Sequence, residues 1–249
     1  MILTLVSLAA IVSISAFALI SGPKPASPAQ GQWPYKPKFF HVVIGGNDLY
    51  IADGYVSQTF SSIGRGEDSA LIHAYYPGDV PILKSTDQLW EEGRYTNVLS
   101  ILLRDQNVYG NFRPNFHPHN LVLSMMKTKK TDTANGQQFG LQHYTQSDEK
   151  WSHLDDVWIE HDGGLQTSFI ACSDDSPVPQ CQHYFYDDRY SYKVRFNRNF
   201  LPEWRRIKAS VLDLVTSFRS PDAARAFVTL RIPSAYQQQL KNKEIPNAH

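Results

Sequence analysis

The sequence predicts an α+β fold: antiparallel β-hairpins or sheets with a few packing helices, following an N-terminal hydrophobic helix. Three observations predict it. Short runs rich in β-branched and aromatic residues are separated by turns bearing Gly, Pro, Asn and Asp. Tyr190, Tyr192, Val194 and Phe196 alternate with Ser191, Lys193 and Arg195, the period-two pattern of a half-buried strand. From Trp204 the apolar residues Ile207, Val211, Leu214, Val215 and Phe218 recur at three- and four-residue steps, as on one face of a helix.

The elements follow in order along the 249 residues. Residues 1–22 carry no charged side chain. Met1 to Ile20 is long enough to span a bilayer as a helix, so this segment reads as a membrane anchor or a signal peptide. No Lys or Arg precedes it, unlike the usual signal peptide. Residues 23–38 hold five prolines and read as an extended linker. The body then runs from 39 to 249. Phe39 to Ile44, a Gly45-Gly46-Asn47-Asp48 turn and Leu49 to Ile51 form a hairpin. Ala70 to Tyr76 and Asn97 to Leu103 are further strands. Polar residues 127–137 are a candidate seam between two halves of the body. Val157 to Glu160 and Leu165 to Cys172 flank a Gly-containing turn, and Gln182 to Tyr186 and Tyr190 to Phe196 are two more strands. A helix begins at Pro202, and Ser220-Pro221-Asp222 starts a short second one.

Composition excludes several classes. A hydrophobic share of 42% with 24 basic and 24 acidic residues is incompatible with a disordered chain. The balanced charge gives no support for a nucleic-acid partner. A single candidate span excludes a multi-pass transporter.

Catalytic motifs are sparse. The chain has no GxSxG, HExxH, P-loop or GxGxxG. Ser124 to Lys127 matches SxxK without its partner motifs. His117 and His119, with His161 or His183, are the candidate metal ligands of a divergent hydrolase, though no CxxC pair or helically spaced acid supports them. Asp155-Asp156 and Asp187-Asp188 are adjacent pairs, and neighbouring residues on a strand face opposite ways, so neither pair makes a two-carboxylate site. The sequence therefore predicts no catalytic, metal or cofactor site.

Cys172 and Cys181 are the two cysteines of the chain. Their spacing is too wide for CxxC chemistry and suits a disulfide across the base of a hairpin loop, contributing roughly 2–3 kcal/mol. The nearest positive charges, Lys24, Lys36 and Lys38, follow the leader and by themselves would hold the body in the cytoplasm. A disulfide argues for an exported, periplasmic body, tethered to the inner membrane if the leader is retained.

Charge is segregated. Residues 148–188 hold ten acids and one base, a net of −9, and residues 189–231 hold ten bases and three acids, a net of +7. Either the blocks neutralise each other across the fold or one steers a charged partner. For the second case the turn residues Asp174, Asp175, Asp187 and Asp188 are the candidate partner-binding residues.

FIAC at 169–172, CQHYF at 181–185, VRF at 194–196, FLPEW at 200–204 and VTSF at 215–218 together resemble a family of exported Gram-negative proteins regarded as periplasmic immunity proteins, particularly those of type VI secretion. Tyr76-Pro77 at a strand end fits the same pattern weakly. The resemblance implies a non-enzymatic protein that binds and neutralises a secreted toxin. The alternatives are an envelope assembly or adaptor component and a periplasmic hydrolase.

Overall fold

The computed structural model describes residues 36–56, 69–82, 97–106, 128–130, 137–146, 156–162, 165–173 and 178–244. One compact unit spans Pro34–His249. The leader at 1–22 and the linker before residue 36 lie outside the described residues. Among the described residues, no helix is long and apolar enough to cross a membrane.

The first hairpin forms as the sequence predicts. β1 (Phe39–Ile44) and β2 (Asn47–Ala52) pair antiparallel, closing at Ile44 opposite Asn47. Gly45 and Gly46 have φ of +57° and +77°, as the two-residue turn that matches strand twist requires. Space adds to the requirement, because a Cβ on Gly45 would lie 2.5 Å from Asp105 Oδ1.

The remaining strands make one antiparallel sheet. They are β3 (Ser69–Tyr75), β4 (Val98–Asp105), β5 (Thr128–Lys130), β6 (Gln137–Gln138), β7 (Leu141–Gln146), β8 (Asp156–Asp162), β9 (Leu165–Ser173), β10 (Gln180–Tyr186) and β11 (Tyr190–Asn197). The order is β3-β4-β11-β10-β9-β8-β7-β5, with β6 also on β7. Strands β7 to β11 are a meander of sequential neighbours, and the β3–β4 hairpin docks on β11. The stretch read as a seam, 127–137, contributes β5 and the start of β6 to the sheet edge, and strands from either side of it, β4 and β11, are paired neighbours. Residues far apart in sequence thus share one ladder, which composition along the chain does not report.

Alternation assigns two faces. On the inner face Tyr190, Tyr192, Val194 and Phe196 of β11 lie beside Leu99, Ile101 and Leu103 of β4, all buried. Across this face lies α1 (Trp204–Ser217), entered through a 3-10 turn at Arg198–Glu203 that contains Pro202. The predicted apolar stripe is the one buried: Trp204, Ile207, Val211, Leu214, Val215 and Phe218 are all fully enclosed. Trp204 meets His183 edge-on at 5.7 Å and donates from Nε1 to the Phe139 carbonyl at 3.0 Å. Phe139 has φ +57°, a left-handed conformation costly for a non-glycine residue, and Arg205 Nη1 also donates to its carbonyl at 3.1 Å.

The second helix differs from expectation. α2 (Pro221–Glu244) has 24 residues and passes through Pro233. Its start follows the sequence: Ala223 N donates to Ser220 Oγ, a side-chain cap ahead of a first-turn proline. Its length does not, because Pro233 removes one helix hydrogen bond and reads as a stop. Burial of Ala224, Phe227, Val228 and Ile232 carries the helix up to the proline. Phe218, between the helices, packs edge-on against Tyr55 at 5.2 Å and accepts at its carbonyl from Tyr50 N at 2.7 Å, which seats the first hairpin.

Trp204 therefore joins helix, sheet and the β6–β7 turn. Trp204→Ala should cost about 3–5 kcal/mol, the range for removing a fully buried large aromatic, read as a lower urea midpoint at unchanged slope.

Candidate functional site: a stapled hairpin and paired charge blocks

Cys172 and Cys181 are disulfide-bonded. They are directly opposed on β9 and β10, the second rung after the loop, with Cα atoms 4.0 Å apart and both side chains fully buried. The bond closes the hairpin predicted for it. Its sulfurs occupy the inner face, in the same strand rows as Ile170 and His183. Among the described residues there is no free cysteine.

The five motifs of the sequence resemblance are consecutive in space. FIAC lies on β9, CQHYF on β10, VRF on β11, FLPEW at the entry to α1 and VTSF at its end. The outlying Tyr76 joins them: its hydroxyl donates to Glu203 Oε2 at 2.8 Å and its ring meets Phe200 edge-on at 5.2 Å.

Among the described residues, four acids of 148–188 pair with bases after residue 188. Glu160 Oε2 accepts from Lys208 Nζ at 2.7 Å, joining β8 to α1. Asp156 pairs with Arg198, and its other oxygen accepts from the His143 ring at 2.7 Å. Asp187 pairs with Arg219 at 3.4 Å, and Asp188 with Arg189 at 3.8 Å. Burial by itself would raise the Glu160 carboxyl, but hydrogen bonds from Lys208 and Ser168 outweigh it and hold the group below the usual carboxylate range.

The partner-binding candidates are not one patch. Asp174 and Asp175 lie outside the described residues, in the loop that leaves β9 at Ser173 and returns at Gln180. Asp187 and Asp188 follow the opposite end of β10, seven residues or roughly 20 Å away along the strand. Asp187 must also be corrected as a solvated turn acid. It accepts from Arg189 N at 2.8 Å, Tyr190 N at 2.7 Å, Tyr192 Oη at 2.6 Å and Arg219, because the tight β10–β11 turn leaves its backbone N–H groups without strand partners. Asp188 does remain exposed, at 78% of its side chain.

The metal candidates separate as well. His117 and His119 lie outside the described residues, as do Ser124, Lys127 and Asp155. His183 is fully buried under Trp204, and His161 is exposed near the end of β8. Among the described residues, no three His, Cys, Asp or Glu side chains are placed to hold a metal ion.

A buried polar chain crosses the inner face. Ser168 Oγ donates to Glu160 at 2.7 Å and lies 3.1 Å from His183 Nε2. Because Ser168 uses its proton on Glu160, His183 must donate through Nε2, which leaves Nδ1 as a buried acceptor without a partner. Burial, with a smaller effect of Lys208, holds the His183 pKa down to about 3. On the outer face burial and Arg195 hold His73 down to about 4.

Sequence reading passed over one cluster, although its signal was present. The polar half of the β11 alternation, Lys193 and Arg195, faces outward beside Arg104 of β4. Lys193 lies opposite Leu102 and Arg195 opposite Ser100, so Arg104 stands diagonally across from Lys193 on the same face.

Two outcomes follow. Asp187→Ala should cost about 3 kcal/mol in chemical unfolding because it strands several donors, whereas Asp188→Ala should stay within about 0.5 kcal/mol. The two depressed histidines set the pH dependence. Both are neutral when folded, while the unfolded chain takes up protons below about 6.5, so stability is full above that pH and is lost as pH falls toward the folded pKa values. Urea midpoints should fall between pH 7 and 5, with a slope approaching roughly 1.4 kcal/mol per unit for each histidine below 6.5. A midpoint that rises on acidification in that window would contradict the assignment.

No family model matches this chain. No curated protein sequence matches it. Two solved structures are similar to it in fold. One is an immunity protein of the Stenotrophomonas maltophilia type IV secretion system, at 17% identity and TM-score 0.49, covering 73% of this chain and 93% of that one. The other is the iron-regulated outer membrane lipoprotein FrpD of Neisseria meningitidis, at 12% identity and TM-score 0.44, covering 72% of this chain and 92% of that one.

Proposed function

We propose that this chain is an exported, periplasmic binding protein that neutralises a cognate antibacterial toxin without catalysing a reaction. The observation that carries the reading is the buried Cys172–Cys181 bond at the centre of the motifs that resemble periplasmic immunity proteins. A bond of this kind persists in oxidising compartments, and its loop-closing effect fixes the β9–β10 hairpin before any partner arrives. The paired acids act in the same direction. Asp156, Glu160 and Asp187 are each held by a cation from the segment after β11 or from the helices. A surface ordered in advance loses less entropy on binding, which is what tight neutralisation of a toxin requires. The sequence resemblance is to immunity proteins of type VI secretion, and Asp188 is the acidic candidate that remains accessible to a partner.

The test is survival of cells that export a candidate toxin, chosen from the genes neighbouring that of this protein. Co-expression of the full chain should restore growth, and the purified pair should co-elute on size exclusion. A Cys172→Ser, Cys181→Ser double variant should protect less at elevated temperature, in line with a loss of roughly 2–3 kcal/mol. Absence of both rescue and complex would refute the reading.

A further inference from the structure

We propose that β1 is the edge through which two copies of this chain pair, strand to strand and antiparallel about a twofold axis. Pairing through β1 does not depend on the toxin-binding reading. The first hairpin is a two-stranded sheet of its own, so each of its strands has one edge that the other does not use. Asp53 N donates to the Lys38 carbonyl at 2.8 Å, which makes residues 38 and 53 a hydrogen-bonded pair. By the antiparallel alternation Phe40, Val42 and Ile44 then bond to β2, and the N–H and C=O groups of Phe39, His41 and Val43 point away from it. On β2 an outward group is used, since Tyr50 N donates to the Phe218 carbonyl. Among the described residues nothing pairs with the outward groups of β1. The strand also lacks the usual protection of an edge: FFHVVI has no Pro, Lys or bulge, and Phe40 and Val43 are each 40% exposed.

The unmet groups select an extended strand as the occupant, because they repeat at every second residue, roughly 7 Å apart. β1 is its own complement. Antiparallel pairing centred on His41 sets Phe39 of one copy opposite Val43 of the other, and Phe40 opposite Val42, so apolar side chains meet on both faces. Such a contact is isologous and closes on a pair. Charge agrees with this register. His41 faces its own counterpart at the axis, and each imidazole already holds a carboxylate, Asp48 Oδ1 at 2.7 Å, and stacks on Tyr50 at 4.9 Å, so each ring arrives with its counter-ion. Lys36 and Lys38 fall at opposite ends of the paired strands from their equivalents, beside the uncharged Gly45-Gly46 turn of the other copy, and the two Lys38 residues stand roughly 20 Å apart.

The experiment uses the full chain in mild detergent and reads its mass by light scattering after size exclusion, with a His41→Cys variant as a probe of register. The parent should form a dimer whose fraction rises with concentration. Val43→Pro removes one outward N–H and crowds the edge without touching a β1–β2 hydrogen bond, so it should weaken association at least tenfold while the melting temperature stays close to that of the parent. Val43→Thr keeps the N–H and the β-branch, and Leu230→Lys lies on α2 at a residue 72% exposed; each should leave association within twofold. Because Cys172 and Cys181 are bonded to each other, a thiol introduced at 41 is the reactive one. Mild oxidation should give a covalent dimer from His41→Cys and little from Phe39→Cys, whose equivalents lie roughly 13 Å apart along the ladder, beyond disulfide reach. If Val43→Pro melts early, this cross-linking contrast decides by itself. The proposal is overturned by a dimer that survives Val43→Pro, by a dimer lost in Leu230→Lys, by equal cross-linking at 39 and 41, or by a parent that stays monomeric, whether or not its edge then takes up a strand of another protein.

Discussion

Helix α1 can lie on the sheet because the acids pointing into that face are met by cations from the helix and from the turn before it. Glu160 on β8 is half-enclosed, and its partner Lys208 sits one turn past Trp204 on α1. Asp156, four residues earlier on the same strand face, meets Arg198 from the turn. A partly buried carboxylate without a partner costs several kcal/mol, so any other rotation or slide of α1 would strand both acids together. Apolar packing of Ile207, Val211 and Leu214 supplies the attraction and discriminates poorly between nearby registers. The ion pairs add little net stability and select one register among them.

The same constraint reaches His183. Its ring lies between Trp204 and Phe185, and its one committed hydrogen bond runs through Ser168 to Glu160. Lys208 approaches the Phe185 ring at 5.7 Å, so the cation that satisfies Glu160 also disfavours a second cation on His183. A neutral histidine and a charged Glu160–Lys208 pair are therefore a single arrangement, and the buried Nδ1 without a partner is the cost of fitting an imidazole where the chain of bonds needs one donor.

Local pattern carried most of the fold. The β11 alternation, the α1 stripe and the Gly45-Gly46 turn were legible because each is written in residues two to four positions apart. The disulfide was legible because only one pairing of Cys172 and Cys181 exists. What escaped depends on placement between distant strands. That β4 lies beside β11, which brings Arg104 to Lys193, follows from topology and has no signature in either segment. Asp187 and Asp188 look alike in sequence, and only the turn geometry separates the carboxylate that bonds its own backbone from the one that faces water. The length of α2 was hidden by Pro233, whose local cost is outweighed by burial of Phe227, Val228 and Ile232 before it.

Net neutrality conceals this division. With 24 bases and 24 acids the chain as a whole exerts no long-range pull on a charged partner. Electrostatic steering depends on local fields, which fall off within about 8–10 Å in physiological salt. Acids committed to internal pairs contribute little to such a field, because their cations lie within ion-pair distance of them. The segregation visible along the chain, acidic before residue 189 and basic after it, is thus converted by folding, for Asp156, Glu160 and Asp187, into ion pairs with Arg198, Lys208 and Arg219.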